Sequence, residues 1–226
     1  MRARALWLLA VLALTGCAAG PRGRAVYVLV DTSGSYVQAV PRAARIIRYL
    51  LGTLQPGDTI AVGRITSLSF TTKDRLVAVT LSRQPTRADA EKRMIAARVA
   101  AFVKAMHASR GTRYTDISGA LLEAGRFLAS IPAAHKDVII VSDMRQDLPP
   151  GAVRRFALPL KGVDVFAVNV IKSHGEDVNP LRYLARMKRW QARVAGGGGR
   201  WILVHELGRL PALLHHPSEA HSRGIA

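Results

Sequence analysis

Three oxygen-bearing side chains follow a run of apolar residues near the start of the chain. Residues 25–30 have the composition of a buried strand that ends at Asp31, and Ser33 and Ser35 follow at alternate positions. A strand that stops at a carboxylate, with two hydroxyls on the next turn, directs three oxygen ligands at one point. Oxygen-only ligation suits Mg²⁺, Ca²⁺ or Mn²⁺ and does not suit Zn²⁺ or copper. The pattern therefore predicts a divalent-cation site and favours binding over catalysis.

Two further oxygen-bearing side chains occur in comparable contexts later in the sequence. The β-branched run at 138–141 predicts a buried strand that ends close to Asp143, and Thr115 ends a polar loop before a predicted helix. In open parallel sheets, binding sites form outside the carboxyl ends of the strands, where the strand order changes direction. If the first and fourth strands are neighbours, all five side chains converge at this edge. They are Asp31, Ser33, Ser35, Thr115 and Asp143.

Strands and helices alternate along the chain and must position these side chains. The predicted strands cover residues 25–30, 59–65, 75–81, 137–142, 163–170 and 201–204. The predicted helices cover residues 40–54, 87–107, 116–130, 151–157 and 179–195. This alternation predicts the α/β class, with an open, mostly parallel, doubly wound sheet and helices on both faces, as in Rossmann-like folds.

Four segments between residues 25 and 170 together resemble one known family. They are DTSGS at 31–35, LQPGDTIAV at 54–62, YTDISGAL at 114–121 and VIIVSD at 138–143. In type and order they are similar to the motifs of the von Willebrand factor type A (VWA) domain and its metal-ion-dependent adhesion site. A string such as DTSGS alone is weak, because it occurs in many turns. The combination of all three ligand segments with their strand contexts is much more specific.

The resemblance implies a non-enzymatic binding site. In the family, the residues that match Asp31, Ser33, Ser35, Thr115 and Asp143 hold Mg²⁺, with Mn²⁺ or Ca²⁺ as alternatives, some directly and some through water. A glutamate or aspartate of a partner protein completes the coordination shell. Two carboxylates balance the charge of the cation and the hydroxyls add none, so that the metal stays attractive to an outside anion.

The sequence departs from the family pattern just after the second aspartate. The family commonly has glycine there, whereas this chain has Met144, which tolerates fewer backbone conformations, so we expect this loop to differ. Arg145 follows. Three roles remain open for Arg145: weakening the site by its positive charge, recruiting an acidic partner, or standing in solvent.

The first residues have the pattern of a bacterial lipoprotein signal. Arg2 and Arg4 precede an apolar run at 5–14 that is too short to span a membrane, and Leu14-Thr15-Gly16-Cys17 resembles a lipobox. We therefore predict a signal peptide at 1–16, a lipidated Cys17 with a linker to residue 24, a VWA-like domain at 25–208 and a tail at 209–226. Ala18 favours the outer membrane, facing the periplasm, if the cell is Gram-negative.

The chain is strongly basic, with 33 Lys and Arg against 15 Asp and Glu and a formal net charge of +18. Such a balance indicates a polyanionic partner, and inside a cell nucleic acid would be the first candidate. For an exported lipoprotein, an anionic lipid, a polysaccharide or an acidic protein fits better, and we expect no specific nucleic acid. The arginines are scattered, which is also typical of a GC-rich genome.

Two alternatives remain open beside metal-dependent binding. The first is a scaffold of the same fold that needs no ion, and the second is a metal-assisted hydrolase, whose general base could only be His174. The sequence contains no Walker loop, HExxH or GxSxG motif. His174, Glu176 and Asp177 could contact a ligand or hold a second ion, but such a run is more often a solvated loop, and the glycines at 196–199 read as a flexible connection. The histidines of the tail read as incidental: His215, His216 and His221.

Overall fold

Six strands form one sheet at the centre of the computed structural model, which describes residues 22–168, 170, 180–205 and 207–215. The strands are β1 (Arg24–Asp31), β2 (Thr59–Ile65), β3 (Arg75–Thr80), β4 (His135–Val141), β5 (Val163–Val168) and β6 (Arg200–Val204). Their spatial order is β3-β2-β1-β4-β5-β6. Neighbouring strands are parallel except β3, which runs antiparallel to β2 at one edge. The predicted open, mostly parallel sheet is therefore confirmed.

Helices cover both faces of this sheet. They are α1 (Val40–Thr53), α2 (Pro85–His107), α3 (Ile117–Ala129), α4 (Pro180–Gly196) and α5 (Leu210–His215). Successive residues of a strand point to opposite faces. Val26 and Val28 of β1 thus pack with α1, α2 and α5, whereas Tyr27 and Leu29 pack with α3 and α4. A central strand that is apolar on both faces is what a doubly wound fold requires.

The strand order changes direction between β1 and β4. The first strand is followed in the chain by β2 on one side, and β4 pairs with its other side. The register places Val30 beside Val141, so that Asp31 and Ser142 follow side by side. The expected contact between the first and fourth strands is therefore confirmed, and a crevice at this position is the usual binding site of such sheets.

The predicted helix at residues 151–157 is wrong. This segment belongs to the connection that returns from the end of β4 to the beginning of β5, and it contains no regular helix. Parallel strands oblige the chain to recross the length of the sheet, and extended backbone covers about 3.3 Å per residue against 1.5 Å for a helix. The connection buries Leu158 and Leu160 as it passes.

Two glycines let this connection lie directly on the neighbouring helices. A Cβ atom on Gly125 of α3 would come within 2.6 Å of the Pro159 carbonyl oxygen, and one on Gly197 would come within 2.4 Å of the Leu158 carbonyl oxygen. Leu160 N–H also donates to the Gly197 carbonyl at 3.1 Å. The glycines at 196–199, which we predicted to be a flexible connection, thus include two, Gly197 and Gly199, that are closely packed.

The C-terminal segment contributes to the core. Leu210 and Leu214 of α5 are buried against β1 and β6, within the stretch that we predicted to be a tail. Several features predicted from the sequence lie outside the described residues. They are the signal peptide at 1–16, Cys17, His174, Glu176, Asp177, His216 and His221. Within the residues that are described, no helix combines the length and hydropathy needed to cross a bilayer.

An ion pair is buried near the amino-terminal ends of the central strands, at the opposite end of the sheet from Asp31. Asp137 of β4 is 3% exposed, its Oδ2 lies 3.1 Å from Arg24 Nε, and its neighbour in the register on β5 is Asp164. Burial raises the pKa of Asp137 to about 7; the charge of Arg24 opposes this rise and that of Asp164 adds to it. The folded protein therefore binds a proton at Asp137 more tightly than the unfolded chain does.

Because of this difference in proton binding, the free energy of unfolding should fall as the pH rises. The contribution of Asp137 is fully present below its unfolded pKa of 3.8 and is lost as the pH rises to about 7. Between pH 4 and pH 7.5, wild type should lose up to about 4 kcal/mol of unfolding free energy relative to Asp137→Asn. Urea unfolding of both proteins at each pH measures this difference. Parallel pH profiles for the two proteins would contradict the assignment.

Candidate metal centre

Asp31 lies at the end of β1, fully buried, and organises the turn that follows. Its Oδ1 accepts a hydrogen bond from Ser33 N–H at 2.9 Å, and its Oδ2 accepts one from the Ser142 hydroxyl at 2.5 Å. The first bond folds the turn after β1 back onto the carboxylate. The second ties β1 to the end of β4. Both carboxylate oxygens are thus held in place by neighbouring residues.

The two serines of the turn lie close together. Ser33 Oγ and Ser35 Oγ are 3.3 Å apart, and the Ser33 carbonyl accepts bonds from Tyr36 N–H and Val37 N–H at 3.0 and 2.9 Å. Ser33 is buried and Ser35 is exposed. The tight turn therefore directs one hydroxyl inward beside Asp31 and leaves the other accessible.

The loop before α3 is packed directly against this turn. Thr112 N–H donates to the Thr32 carbonyl at 2.8 Å, and Gly34 N–H donates to the Thr112 carbonyl at 3.1 Å. Gly111 has a φ of 74°, and a Cβ atom there would come within 2.7 Å of Gly34 N. Only glycine fits such a close approach in that conformation. The position of this loop relative to Ser33 is therefore fixed by backbone contact.

Thr115 is held at the beginning of α3 by a pair of backbone bonds. Its N–H donates to the Asp147 carbonyl at 2.6 Å, and Asp147 N–H donates back at 3.0 Å. The next residue, Asp116, is fully buried and caps α3 by accepting from Gly119 N–H at 2.8 Å. Arg154 donates to both carboxylate oxygens of Asp116, at 2.8–3.1 Å. These contacts fix Thr115 on the same rim as the loop after β4.

Asp143 follows β4 and is mostly buried. Its Oδ1 accepts from Arg145 N–H at 2.9 Å. Met144, between these two residues, has a φ of 61°, and it is the only residue other than glycine with a positive φ in the described part of the chain. The backbone thus takes the left-handed conformation, which glycine adopts more readily than methionine does.

The Met144 side chain offsets the strain of this conformation. It is fully buried among the residues between the sheet and helices α3 and α4. Its backbone is held on both sides, because its N–H donates to the Ser142 hydroxyl at 2.9 Å and its carbonyl accepts from Trp190 Nε1 at 2.8 Å. Burial of the methionine therefore stabilises the turn that carries Asp143.

The structure brings the predicted residues to a single rim at the switch point. Ser33, Ser35 and Thr115 line one open cleft of about 480 Å³. Asp31 lies directly beneath Ser33, and the charge of Asp143 acts on Asp31. In the described part of the chain, no three His, Cys, Asp or Glu residues form a cluster, so a cation here would depend on hydroxyl oxygens as well as on the two aspartates.

The two aspartates share an unfavourable electrostatic environment. Burial raises the pKa of Asp31 and that of Asp143 above their ordinary values. Bonds from Ser142 and Ser33 oppose the rise at Asp31, and the nearby charge of Asp143 adds to it. A divalent cation would offset the repulsion between the two carboxylates and the cost of burying them. The donor set, two carboxylates and three hydroxyls, fits a hard cation such as Mg²⁺.

Three supporting residues were not identified from the sequence. Ser142 holds Asp31, Asp147 holds Thr115 through its backbone, and Arg154 holds Asp116. Ser142 could have been predicted, because it directly precedes Asp143 and lies beside Asp31 once the first and fourth strands are paired. The other two pairings join loops whose course no local pattern indicates.

Comparison with solved structures identifies the fold. No protein-family model matches the sequence, and no curated protein is similar to it. The chain is similar in structure to a von Willebrand factor type A protein from Catenulispora acidiphila, with a TM-score of 0.52, 17% identity and coverage of 91% of this chain and 44% of the other. The chain is also similar in structure to the pilus adhesin SpaC from Lactobacillus rhamnosus GG, with a TM-score of 0.50 and 11% identity. This match covers 89% of this chain and 30% of the adhesin.

A third similar structure is the conserved hypothetical protein BatB from Bacteroides thetaiotaomicron. It gives a TM-score of 0.48 and 14% identity over 88% of this chain and all of the other. The chain spans less than half of the Catenulispora and Lactobacillus proteins. The strand order and the similarity to the Catenulispora structure together show that the described domain is an α/β domain with an open, mostly parallel sheet. More specifically, it has the fold of a VWA domain.

The backbone at Met144 makes a testable prediction about two substitutions. Met144→Ala and Met144→Gly both remove the buried side chain, at a cost of about 2–5 kcal/mol. Glycine, however, relieves the left-handed strain that alanine keeps, so Met144→Gly should be more stable than Met144→Ala by about 1 kcal/mol. Denaturant unfolding of the two variants measures this difference.

Met94 provides the matched control for this comparison. It is a partly exposed methionine within α2, and there Ala should be more stable than Gly by about 1 kcal/mol, since glycine weakens a helix interior. If Ala is the more stable residue at both positions, the backbone at Met144 is not strained as described.

Proposed function

We propose that the chain is a VWA-domain lipoprotein of the bacterial cell envelope that binds a partner protein through a divalent cation. The observation that carries the proposal is the meeting of Asp31, Asp143 and three hydroxyls at the switch point of the sheet. The three hydroxyl-bearing residues line a cleft that reaches solvent, and both aspartates are buried and near enough for the charge of Asp143 to act on Asp31. This arrangement suits a site that holds a cation and presents it outward.

Each of the five residues has a distinct part in this proposal. Asp31 and Asp143 supply the negative charge that balances a divalent cation, and the hydroxyls of Ser33, Ser35 and Thr115 supply neutral oxygens. Bound Mg²⁺ would offer an electrophilic position to a carboxylate of the partner. Ser142 keeps Asp31 oriented, and the paired backbone bonds of Thr115 with Asp147 keep the threonine at the rim. The role is binding, and no reaction is assigned to the site.

A scaffold that needs no ion is the second candidate. One specific observation favours it: both oxygens of Asp31 already accept hydrogen bonds, from Ser33 N–H and from Ser142. The turn is thus held together by the protein's own donors. The two candidates differ in whether the folded protein gains stability from a cation.

Thermal unfolding separates these two functions. A cation that binds only the folded state raises stability by mass action, so Mg²⁺ or Mn²⁺ at ten times its Kd should raise the Tm by about 3–6 °C relative to EDTA. Ser35→Ala removes an exposed oxygen ligand, and it should reduce this shift without lowering the Tm in EDTA by more than about 1–2 °C.

Ser130→Ala is the control for Ser35→Ala. Ser130 is an exposed serine just beyond the end of α3 that is remote from Thr115, and its substitution should leave the metal-dependent shift intact. Equal melting temperatures of the wild-type protein in EDTA and in both metals would favour the scaffold.

The membrane anchor is a separate part of the proposal and rests on the lipobox-like sequence around Cys17. Acyl chains hold a protein on a bilayer by burying methylenes, each contributing about 0.8 kcal/mol. Cys17→Ser should therefore move the protein from the membrane pellet to the soluble fraction after cell lysis. Immunoblots of fractions washed in high salt measure this shift, because salt removes contacts that depend on charge alone. Continued pelleting of the variant would contradict acylation.

A further inference from the structure

The cleft above the candidate metal centre is walled by arginines. Arg110 and Arg113 of the loop before α3 and Arg145 of the loop after β4 line it, and all three are exposed. Among the described residues that line the cleft, Asp147 is the only acidic one. The rim is therefore strongly positive around the hydroxyl-lined floor.

The protein fixes these arginines at the rim through its backbone. The loop that carries Arg110 and Arg113 is bonded to the Asp31 turn by Thr112 and is packed against Gly34, where a Cβ atom would lie 3.1 Å from the Arg110 carbonyl oxygen. The guanidinium of Arg113 also lies over the Tyr114 ring, 5.2 Å from its centroid. Backbone contacts thus position the loop that carries both arginines, and the Tyr114 ring adds a contact to Arg113.

From this placement we infer that the partner binds through an acidic peptide segment, and that several of its carboxylates enter the cleft together. The inference rests on the proposed function, since one carboxylate would meet the cation. The others would pair with Arg110, Arg113 and Arg145, because guanidinium groups bind carboxylates through two parallel hydrogen bonds. A ligand with a single negative charge would leave most of the rim unmatched.

Two exposed apolar side chains lie on a connection that is bonded to the arginine loop, and they favour a peptide over a small inorganic anion. Leu68 and Phe70 are 48% and 43% exposed on the connection between β2 and β3. This connection is bonded to the arginine loop, since Tyr114 N–H donates to Ser67 Oγ at 3.3 Å. Exposed apolar groups beside a charged rim match a segment with both acidic and apolar side chains.

The test compares two labelled peptides on the full chain, purified in non-ionic detergent with Mg²⁺. Both are fluorescein-labelled and share a Gly/Ser background with one leucine; one contains a single aspartate and the other three. We expect the peptide with three aspartates to bind about four- to ninefold more tightly, because each of its two additional ion pairs contributes about two- to threefold. Fluorescence anisotropy measures both affinities.

A triple variant, with Arg110→Gln, Arg113→Gln and Arg145→Gln, tests the rim directly. It should bind the peptide with three aspartates about as weakly as the peptide with one. The matched control has the same loss of charge on α2 and α3, through Arg93→Gln, Arg98→Gln and Arg126→Gln, and it should bind as wild type does. The Tm of each variant verifies folding, and single Arg110→Gln and Arg113→Gln variants replace the triple variant if it melts early.

The remaining outcomes are distinguishable. Equal loss of affinity in both triple variants, equal affinity for the two peptides, or no binding of either peptide would overturn the inference. Displacement of the peptide by inorganic phosphate or by anionic phospholipid vesicles at lower concentrations than unlabelled peptide would also overturn it, in favour of a phosphate ligand. If EDTA has no effect while the rim variant still loses affinity, the arginine rim stands and the proposed metal dependence fails.

Discussion

The pairing of β1 with β4 is the constraint on which the rest of this structure depends. It brings the ends of two strands that are more than a hundred residues apart to the same rim, and there the Ser142 hydroxyl bonds Asp31 at 2.5 Å. A buried carboxylate is costly unless donors satisfy it. The sheet solves this problem by supplying one donor from each side, Ser142 from β4 and Ser33 N–H from the turn. The orientation of Asp31 therefore follows directly from the strand order.

Close backbone packing then extends this order from the strands to the loops. Gly34 and Gly111 allow the loop before α3 to lie on the Asp31 turn, and Thr115 and Asp147 exchange a pair of backbone bonds across the cleft. Asp116 adds a second anchor through Arg154. Loops are ordinarily the variable part of a domain, and a binding site needs them rigid. In the loop before α3, the rigidity comes from contacts that do not involve the side-chain oxygens of the candidate ligands.

Much of the fold could be predicted from the sequence, because its strands are apolar on both faces and its helices are amphipathic. The contact between β1 and β4 followed from two buried strands that each end near an aspartate. The connection between β4 and β5 could not be predicted in the same way. Its residues 151–157 have no strong periodicity, and Leu158 and Pro159, which follow them, pack against Gly197 and Gly125 from distant parts of the chain. Likewise the left-handed backbone at Met144 depends on a core pocket and on Trp190, which no local pattern reveals.

Negative charge at the site is buried, whereas positive charge lies at its surface. This arrangement explains how a strongly basic chain can also carry a candidate cation site. The protein carries a net charge of +18, yet its candidate cation site needs only two carboxylates. Asp31 and Asp143 are buried, where solvent screening is weak, whereas Arg110 and Arg113 stand in solvent, where charges interact strongly only within about 8 Å. A cation held below the hydroxyls would therefore lie close to the two carboxylates, although the buried Arg186 offsets part of the charge of Asp143. A ligand arriving from outside would instead meet the arginines first, so one cleft can attract a cation at its floor and an anion at its rim.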